Sequence, residues 1–207
     1  KNASERGELE NLSVGGNDNF SSPKITERQG IAYIRDANLG YGEKPDVIVF
    51  KGYFTYAFKK DEPGRLSYPS CPKDDCKKKV SEESDGTWKC EKCQQNYPAP
   101  NYRYILSCTC VDHTGSLVCT AFQESAITIM NGMSAQSMKA LYDEDPAAYE
   151  RCFTEAFYVP YVIKAKVQSE VYNDEQRVKT QLVAVNRLDF KAECDYLLEA
   201  IDTLMRM

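Results

Sequence analysis

The chain has 207 residues, 42% hydrophobic and 28% charged, with nine cysteines, one histidine and a formal charge of −5. That length can bury a sizeable core in one domain with attachments. No run approaches ~18 consecutive apolar residues, which excludes a membrane-spanning helix, and a lone His113 excludes chemistry built on histidine pairs. Residues 44–189 carry 19 basic and 20 acidic groups. Bulk charge therefore cannot hold nucleic acid, and any such binding needs a local groove and stacking.

In chain order, residues 1–25 are polar and rich in Gly, Asn and Ser, as in a flexible linker. The start at Lys1, with no charged-then-apolar leader, fits a piece of a longer polypeptide without a secretory signal. Thr26 is a candidate cap for a helix whose apolar side is Ile31, Tyr33 and Ile34, ending at Asn38-Leu39-Gly40. A long strand follows over 46–60, with Phe54, Tyr56 and Phe58 on one side by period two. Gly52 within it predicts a bulge or sharp bend.

Further strands are predicted over 102–111 and 117–122, joined by a turn at His113-Thr114-Gly115-Ser116. Residues 123–153 read as helix in two pieces, the second opening after Asp145-Pro146. Strands over 159–171 and 177–188 complete the series. Strand, insertion, two strands, helices, two strands is the order of a five-stranded OB-fold barrel, an all-β core, although other five-stranded barrels exist. The expected organisation is a linker at 1–25, a barrel over 26–189 with an insertion at 66–100 and inter-strand helices, and an assembly helix over 190–207.

The insertion carries Cys71 and Cys76, then thirteen residues, then Cys90 and Cys93. Two close cysteine pairs can surround one tetrahedral zinc. Asp85-Gly86 would turn a short hairpin between them, and Trp88 would cover one side. Six basic and six acidic side chains lie between 71 and 93, with few apolar ones, so the segment needs a staple to fold. The spacing favours one structural Zn2+; an iron–sulfur site or a redox pair shares it. Four thiolates leave no open position for water, so catalytic zinc is not expected. The other five cysteines sit among apolar neighbours and read as core residues in a reducing compartment. His113 reads as an exposed turn residue.

In the fourth barrel strand, Tyr161, Ile163, Ala165 and Val167 form the inward set. Val162, Lys164, Lys166 and Gln168 form the outward set, in phase with Tyr172. Arg177, Lys179 and Gln181 share one parity on the fifth strand. Residues 162–187 hold five basic and three acidic groups, a locally positive hairpin in a neutral barrel. Cations beside exposed rings are how single strands are held. Phe122, outward when Cys119 and Ala121 face in, and Arg103 join the candidate DNA contacts. A strand face also carries Lys and Arg simply for solubility.

At the tail, Asp189 can cap a helix beginning at Phe190. Phe190, Cys194, Leu197, Ile201 and Leu204 are spaced four, three, four and three apart, widened by Leu198 and Met205. Such a stripe beyond a complete barrel suits partner helices; the other reading is a helix closing the barrel's end.

The combination resembles the C-terminal domain of the large subunit of replication protein A over about residues 26–207. The segments carrying the likeness are Asn38-Leu39-Gly40, Lys44-Pro45-Asp46, Asp85-Gly86-Thr87-Trp88-Lys89-Cys90-Glu91-Lys92-Cys93, Tyr102-Arg103-Tyr104-Ile105-Leu106, Phe122-Gln123-Glu124-Ser125-Ala126 and Tyr172-Asn173-Asp174-Glu175. The resemblance implies nuclear single-stranded DNA binding in replication, repair and recombination. It also implies a ribbon zinc that supports DNA binding, and stacking rings at Phe122 and Tyr172. The terminal helix would join the middle and small subunits of a heterotrimer. Telomere-dedicated paralogues share this architecture, and a protein-interaction hub without DNA contact is the alternative from another class. No Lys-x-Asp-Gly motif, phosphate-cradling glycine loop or histidine constellation points to an enzyme.

Overall fold

Five apolar-alternating segments close on one another as strands of a barrel. The computed structural model describes residues 25–58, 62, 65–172 and 175–206; the expected linker at 1–25 lies almost wholly outside them. A short helix α1 (Tyr33–Asp36) precedes β1 (Asp46–Ala57) and β2 (Ser67–Ser70). Three short strands follow, β3 (Ser81–Glu82), β4 (Trp88–Cys90) and β5 (Gln95–Tyr97). Then come β6 (Asn101–Val111), β7 (Ser116–Phe122) and the helices α2 (Gln123–Ile129), α3 (Ala135–Glu144) and α4 (Pro146–Ala156). The chain ends with β8 (Pro160–Tyr172), β9 (Glu175–Arg187) and α5 (Phe190–Met205).

The sheet runs β1-β8-β9-β7-β6-β2, and an additional β1–β6 pairing closes it. β7 and β9 are parallel, whereas the other pairs are antiparallel. This is the expected five-stranded OB-fold barrel, with β2 as an annex on β6. β1 serves two neighbours, pairing with β8 over Asp46–Tyr53 and with β6 over Tyr53–Ala57. Gly52 sits at that changeover. A Cβ there would lie 2.9 Å from Cys110 Sγ and 3.0 Å from the Val111 carbonyl, so glycine is required by close approach.

Several details depart from the sequence reading. The helix expected from Thr26 shrinks to a 3-10 turn (Ile25–Glu27) and the four residues of α1. Backbone donors that would extend it are taken by the barrel: Gln29 N–H to the Val49 carbonyl, Ile31 N–H to Asp112, Ala32 N–H to Thr114 Oγ1. Phe54 does not share a side with Tyr56 and Phe58. A bulge between Phe54 and Tyr56 resets the pleat, burying Phe54 while Tyr56 and Phe58 stay exposed. Val162, expected outside, is buried. It pairs with Lys51, whose ammonium is held by Glu193 in the first turn of α5, so the helix start covers this place.

The helical stretch breaks into three pieces, with Asn131 and Gly132 both at positive φ after α2. Ser134 caps α3 by accepting from Ser137 N–H, and Asp145 caps α4 by accepting from Ala148 N–H, with Pro146 in the first turn. Their buried faces (Ala126, Ile129, Met138, Tyr149, Phe153) join Phe50, Leu106, Ile163 and Val167 in one core. Each large side chain so buried contributes about 1.5–3 kcal/mol. Cys108, Cys110 and Cys119 are buried within it, and burial pushes the Cys110 thiol up to about 12. Cys194 departs from the expected core role: it is exposed on α5. No helix among the described residues is long and apolar enough to cross a membrane.

Candidate nucleic-acid interface and metal centre

The insertion folds as a three-stranded ribbon, β3-β4-β5, around its own small core. Asp85 turns it by accepting from Thr87 N–H and Oγ1, with Gly86 at positive φ, as the Asp85-Gly86 pair predicts. The turn brings Cys71, Cys76, Cys90 and Cys93 together, with all four sulfurs within 4.8 Å of one another. Cys71 and Cys93 stand 3.8 Å apart, and Cys76 and Cys90 3.7 Å. Trp88 and Tyr97 pack against the cluster. Burial opposes ionisation of Cys71, but hydrogen bonds from the Lys73 backbone, Tyr97 and neighbouring thiols outweigh it and draw its pKa down to about 7. Cys93 moves the other way, to about 12, through its hydrogen bond with Cys76, burial and the neighbouring thiols. Cys71 and Cys93 are thus pushed in opposite directions, a conflict that a shared cation would resolve. These four residues can hold a metal ion.

The second assembly is the outer face of the barrel. Side chains directly paired across strands project from the same face. Lys166 on β8 pairs with Gln181 on β9, Gln181 lies beside Thr120 on β7, and Thr120 pairs with Ser107 on β6. One row along, Phe122 pairs with Ile105; on the other side, Lys179 pairs with Gln168 and Arg177 with Glu170. Cys119, Ala121, Ala165 and Val167 point the other way into the core. Register therefore brings Phe122, Lys166, Arg177 and Lys179 onto one continuous outer surface. Arg103, two residues before Ile105, shares its parity, and Lys164 shares that of Lys166 up to a bulge after it.

Local contacts qualify several of these side chains. Phe122 is half-buried in extended backbone at the N-cap of α2, fixed by Gln123, whose Oε1 accepts from Tyr104 N–H at 2.8 Å. Ile105, which the sequence reading missed, is exposed opposite it, its place in the outward alternation being the available signal; Val118, four residues earlier on β7 and outward by the same phase as Phe122, is exposed too. Arg103 is largely covered and engages Glu124 at 3.2 Å. Lys179 meets Glu170 at 3.1 Å. Tyr172 ends β8 opposite Glu175; its side chain lies outside the described residues. Between ribbon and barrel opens a cleft of about 410 Å³, whose lining includes Lys73, Lys77, Asn101, Arg103 and Gln123. Arg103 joins that cleft to the outer face.

The third assembly is α5. Asp189 caps it as expected, accepting from Lys191 and Ala192 N–H. Phe190, Cys194, Leu197, Leu198, Ile201, Leu204 and Met205 are all exposed, reaching 81% at Met205. Its buried residue is Glu193. The stripe does not fold back to close the barrel.

Comparison with known proteins agrees with this architecture. The Replication factor-A C terminal domain family matches residues 50–197, more than half of the chain. Replication factor A protein 1 of Schizosaccharomyces pombe is 36% identical over 180 residues, which cover 87% of this chain and 29% of that protein. The chain therefore spans under a third of the length of such relatives. A solved replication protein A heterotrimer bound to single-stranded DNA superposes with a TM-score of 0.76 at 31% identity, over 84% of this chain and 39% of that one. Yeast RPA bound to single-stranded DNA gives 0.74 at 32% identity, over 86% of this chain and 97% of that one. By sequence and by fold, this chain belongs to the replication factor-A C-terminal domain family.

Proposed function

We propose that the chain binds single-stranded DNA on the outer barrel face and assembles with partner helices through α5. It serves as the C-terminal module of the large subunit of a replication protein A complex, in nuclear DNA replication, repair and recombination. The observation that carries this reading is the register that aligns Phe122, Lys166, Arg177 and Lys179 on one surface. Cations screen phosphates along such a surface while rings stack on bases of any sequence. Tyr172 is a further stacking candidate, and Lys164 and Arg103 are further cations. The relatives' association with single-stranded DNA and with a heterotrimer supports both halves of the reading. The exposed stripe of α5 suits the middle and small subunits as partners. No step of this function calls for catalysis.

The cysteine cluster is proposed as a site for one structural Zn2+. Four bonds of about 2.3 Å at tetrahedral angles put sulfurs about 3.8 Å apart, the separation of the Cys71–Cys93 and Cys76–Cys90 pairs. When bound, the ion fastens β2, the β4 end and the following turn into one unit. The working division is a linker at 1–25, the barrel with its ribbon at 26–189 and the assembly helix at 190–207.

A fluorescence anisotropy titration with a ~30-nucleotide single strand, long enough for several stacking contacts, tests the reading. Binding that exceeds that of a duplex of the same length, and weakens with salt, is expected. A parent chain that leaves the single strand unbound at micromolar concentrations, alone and with the partner subunits present, overturns it.

A further inference from the structure

The bulge in β1 leaves an aromatic pair on the barrel's exterior for which packing among the described residues gives no reason. Phe50 and Phe54 are fully buried, yet Tyr56 is 47% and Phe58 37% exposed. The two rings meet edge to face with centroids 5.1 Å apart. Each props the other, so a ring face stays presented outward at little entropic cost. Exposed rings scattered singly need no explanation; two rings braced together at a bulge do.

We propose that Tyr56 and Phe58 form a second base-stacking subsite for single-stranded nucleic acid, at the β1 margin of the barrel face. The inference rests on the single-strand-binding reading above and extends its track. Tyr56 pairs with Thr109, which pairs with Val118 on β7. Phe58 N–H donates to the Ser107 carbonyl at 2.9 Å, and Ser107 leads through Thr120 and Gln181 to Lys166. The ring pair therefore sits on the same rows as the cations. From β1 to β9 there are three inter-strand steps, about 14 Å at the usual strand spacing.

What lies between decides the kind of ligand. Ser107, Thr109 and Thr120 are short, half-buried hydroxyl side chains, forming a low trough between the ring pair and the Lys166 and Lys179 side. Low hydroxyls flanked by rings on one side and cations on the other suit a polyanion whose bases are unpaired. Exposed Ile105 and Val118 edge this hydroxyl floor, so the face offers apolar contact to bases and charge to phosphates together. Stacking accepts any base, so the subsite adds affinity with little sequence preference.

The test uses the full, zinc-loaded chain. Oligothymidylate carrying 5-iodouracil is photocrosslinked to the parent and the modified peptides are mapped by mass spectrometry. In parallel, anisotropy compares the parent, Phe122→Ala, the double variant Tyr56→Ala/Phe58→Ala and the aromatic-conserving Tyr56→Phe. Crosslinks on the 53–58 peptide, about tenfold weaker binding by the double variant and parent-like binding by Tyr56→Phe are expected. If Phe122→Ala weakens binding while the double variant binds like the parent, the second subsite is rejected and the groove stands. If the parent itself does not bind, groove and subsite fall together. Should the double variant fail to fold, the parent's crosslink map decides alone, and its lack of Tyr56 or Phe58 adducts rejects the subsite.

Discussion

The Arg28 guanidinium and the Glu193 carboxylate meet at 2.6 Å with side chains only 12% and 10% exposed. Lys51 on β1 closes on the other carboxylate oxygen at 2.7 Å. One acidic residue thus ties the segment before β1, the barrel wall and the first turn of α5. It fixes the direction in which α5 leaves the barrel and so turns the apolar stripe outward. Removing one partner of a buried pair leaves the other charge uncompensated, which costs about 3–5 kcal/mol. Lys51, 40% exposed, can turn to water, but Arg28 is largely enclosed and its Nε has no hydrogen-bond partner among the described residues. Glu193→Ala is therefore expected to lower unfolding stability by about 3 kcal/mol, the lower end of that range. A urea denaturation midpoint within experimental error of the parent contradicts this role.

The same latch gives the fold an acid sensitivity. Burial works against the Glu193 charge, but hydrogen bonds from Lys51 and Arg28, and their charges, hold its pKa below the ordinary 4.5. A carboxylate with a depressed folded pKa contributes stability that is fully present above its unfolded value and lost as pH falls through the folded one. Asp112 acts in the same sense: burial raises its pKa, but hydrogen bonds from Thr114, Ile31 and Gly115 outweigh it. The parent should lose stability progressively below ~pH 5. Glu193→Gln, less stable at neutral pH, should lose less over that window. Parallel stability curves for the two proteins from pH 7 into the acid range dispose of the linkage.

Much of the barrel was legible because its strands alternate cleanly. Tyr161, Ile163, Ala165 and Val167 can satisfy only one face, and the four cysteines can converge only if the ribbon turns at Asp85-Gly86. The departures have a common origin in contacts distant along the chain. The helix expected from Thr26 loses its donors to Val49, Asp112 and Thr114. Period two carries Phe54, Tyr56 and Phe58 to one side only while the register is unbroken, and the bulge breaks it. Glu193 looks like a solvated residue until its partners 165 and 142 positions away are known. The cations of the outer face could be named from parity, but their alignment with Ser107 and Thr120 required the β7–β9 pairing.

The stripe of α5 is unsupported by the barrel, so its residues can be changed without unfolding it. Leu197→Asp with Ile201→Asp should leave the barrel's melting temperature and single-strand affinity close to those of the parent, since both side chains are exposed. Assembly with the middle and small subunits should be lost, because two carboxylates would be buried unpaired in the helix seam. Co-purification from a three-subunit co-expression reads this out. A double variant that still brings both partners through size exclusion would place assembly elsewhere.

Trp88, the sole tryptophan, packs against the thiol cluster and reports on the ribbon alone. The ribbon core is small and separate from that of the barrel. Removing a structural ion should therefore release the ribbon and spare the barrel. Chelation is expected to red-shift Trp88 emission and open 71–97 to proteolysis, while the barrel's far-UV signal persists and single-strand affinity drops. Emission and protease resistance unchanged after complete metal removal contradict a structural ion.

Phe122 and Lys166 lie on one surface but should act by different physics, and salt separates them. A stacked base contributes about 1–3 kcal/mol whatever the ionic strength, so Phe122→Ala should weaken single-strand binding about tenfold or more. Its slope of log affinity against log salt should match that of the parent. A lysine that neutralises one phosphate releases its counterion, so Lys166→Ala should flatten that slope by about 0.7 for a single strand. The loss from Lys166→Ala should therefore be largest at low salt and fade as salt rises. Anisotropy titrations at four or more salt concentrations distinguish the two. A flattened slope in Phe122→Ala, or an unaltered one in Lys166→Ala, means that the division of labour across this face is drawn wrongly.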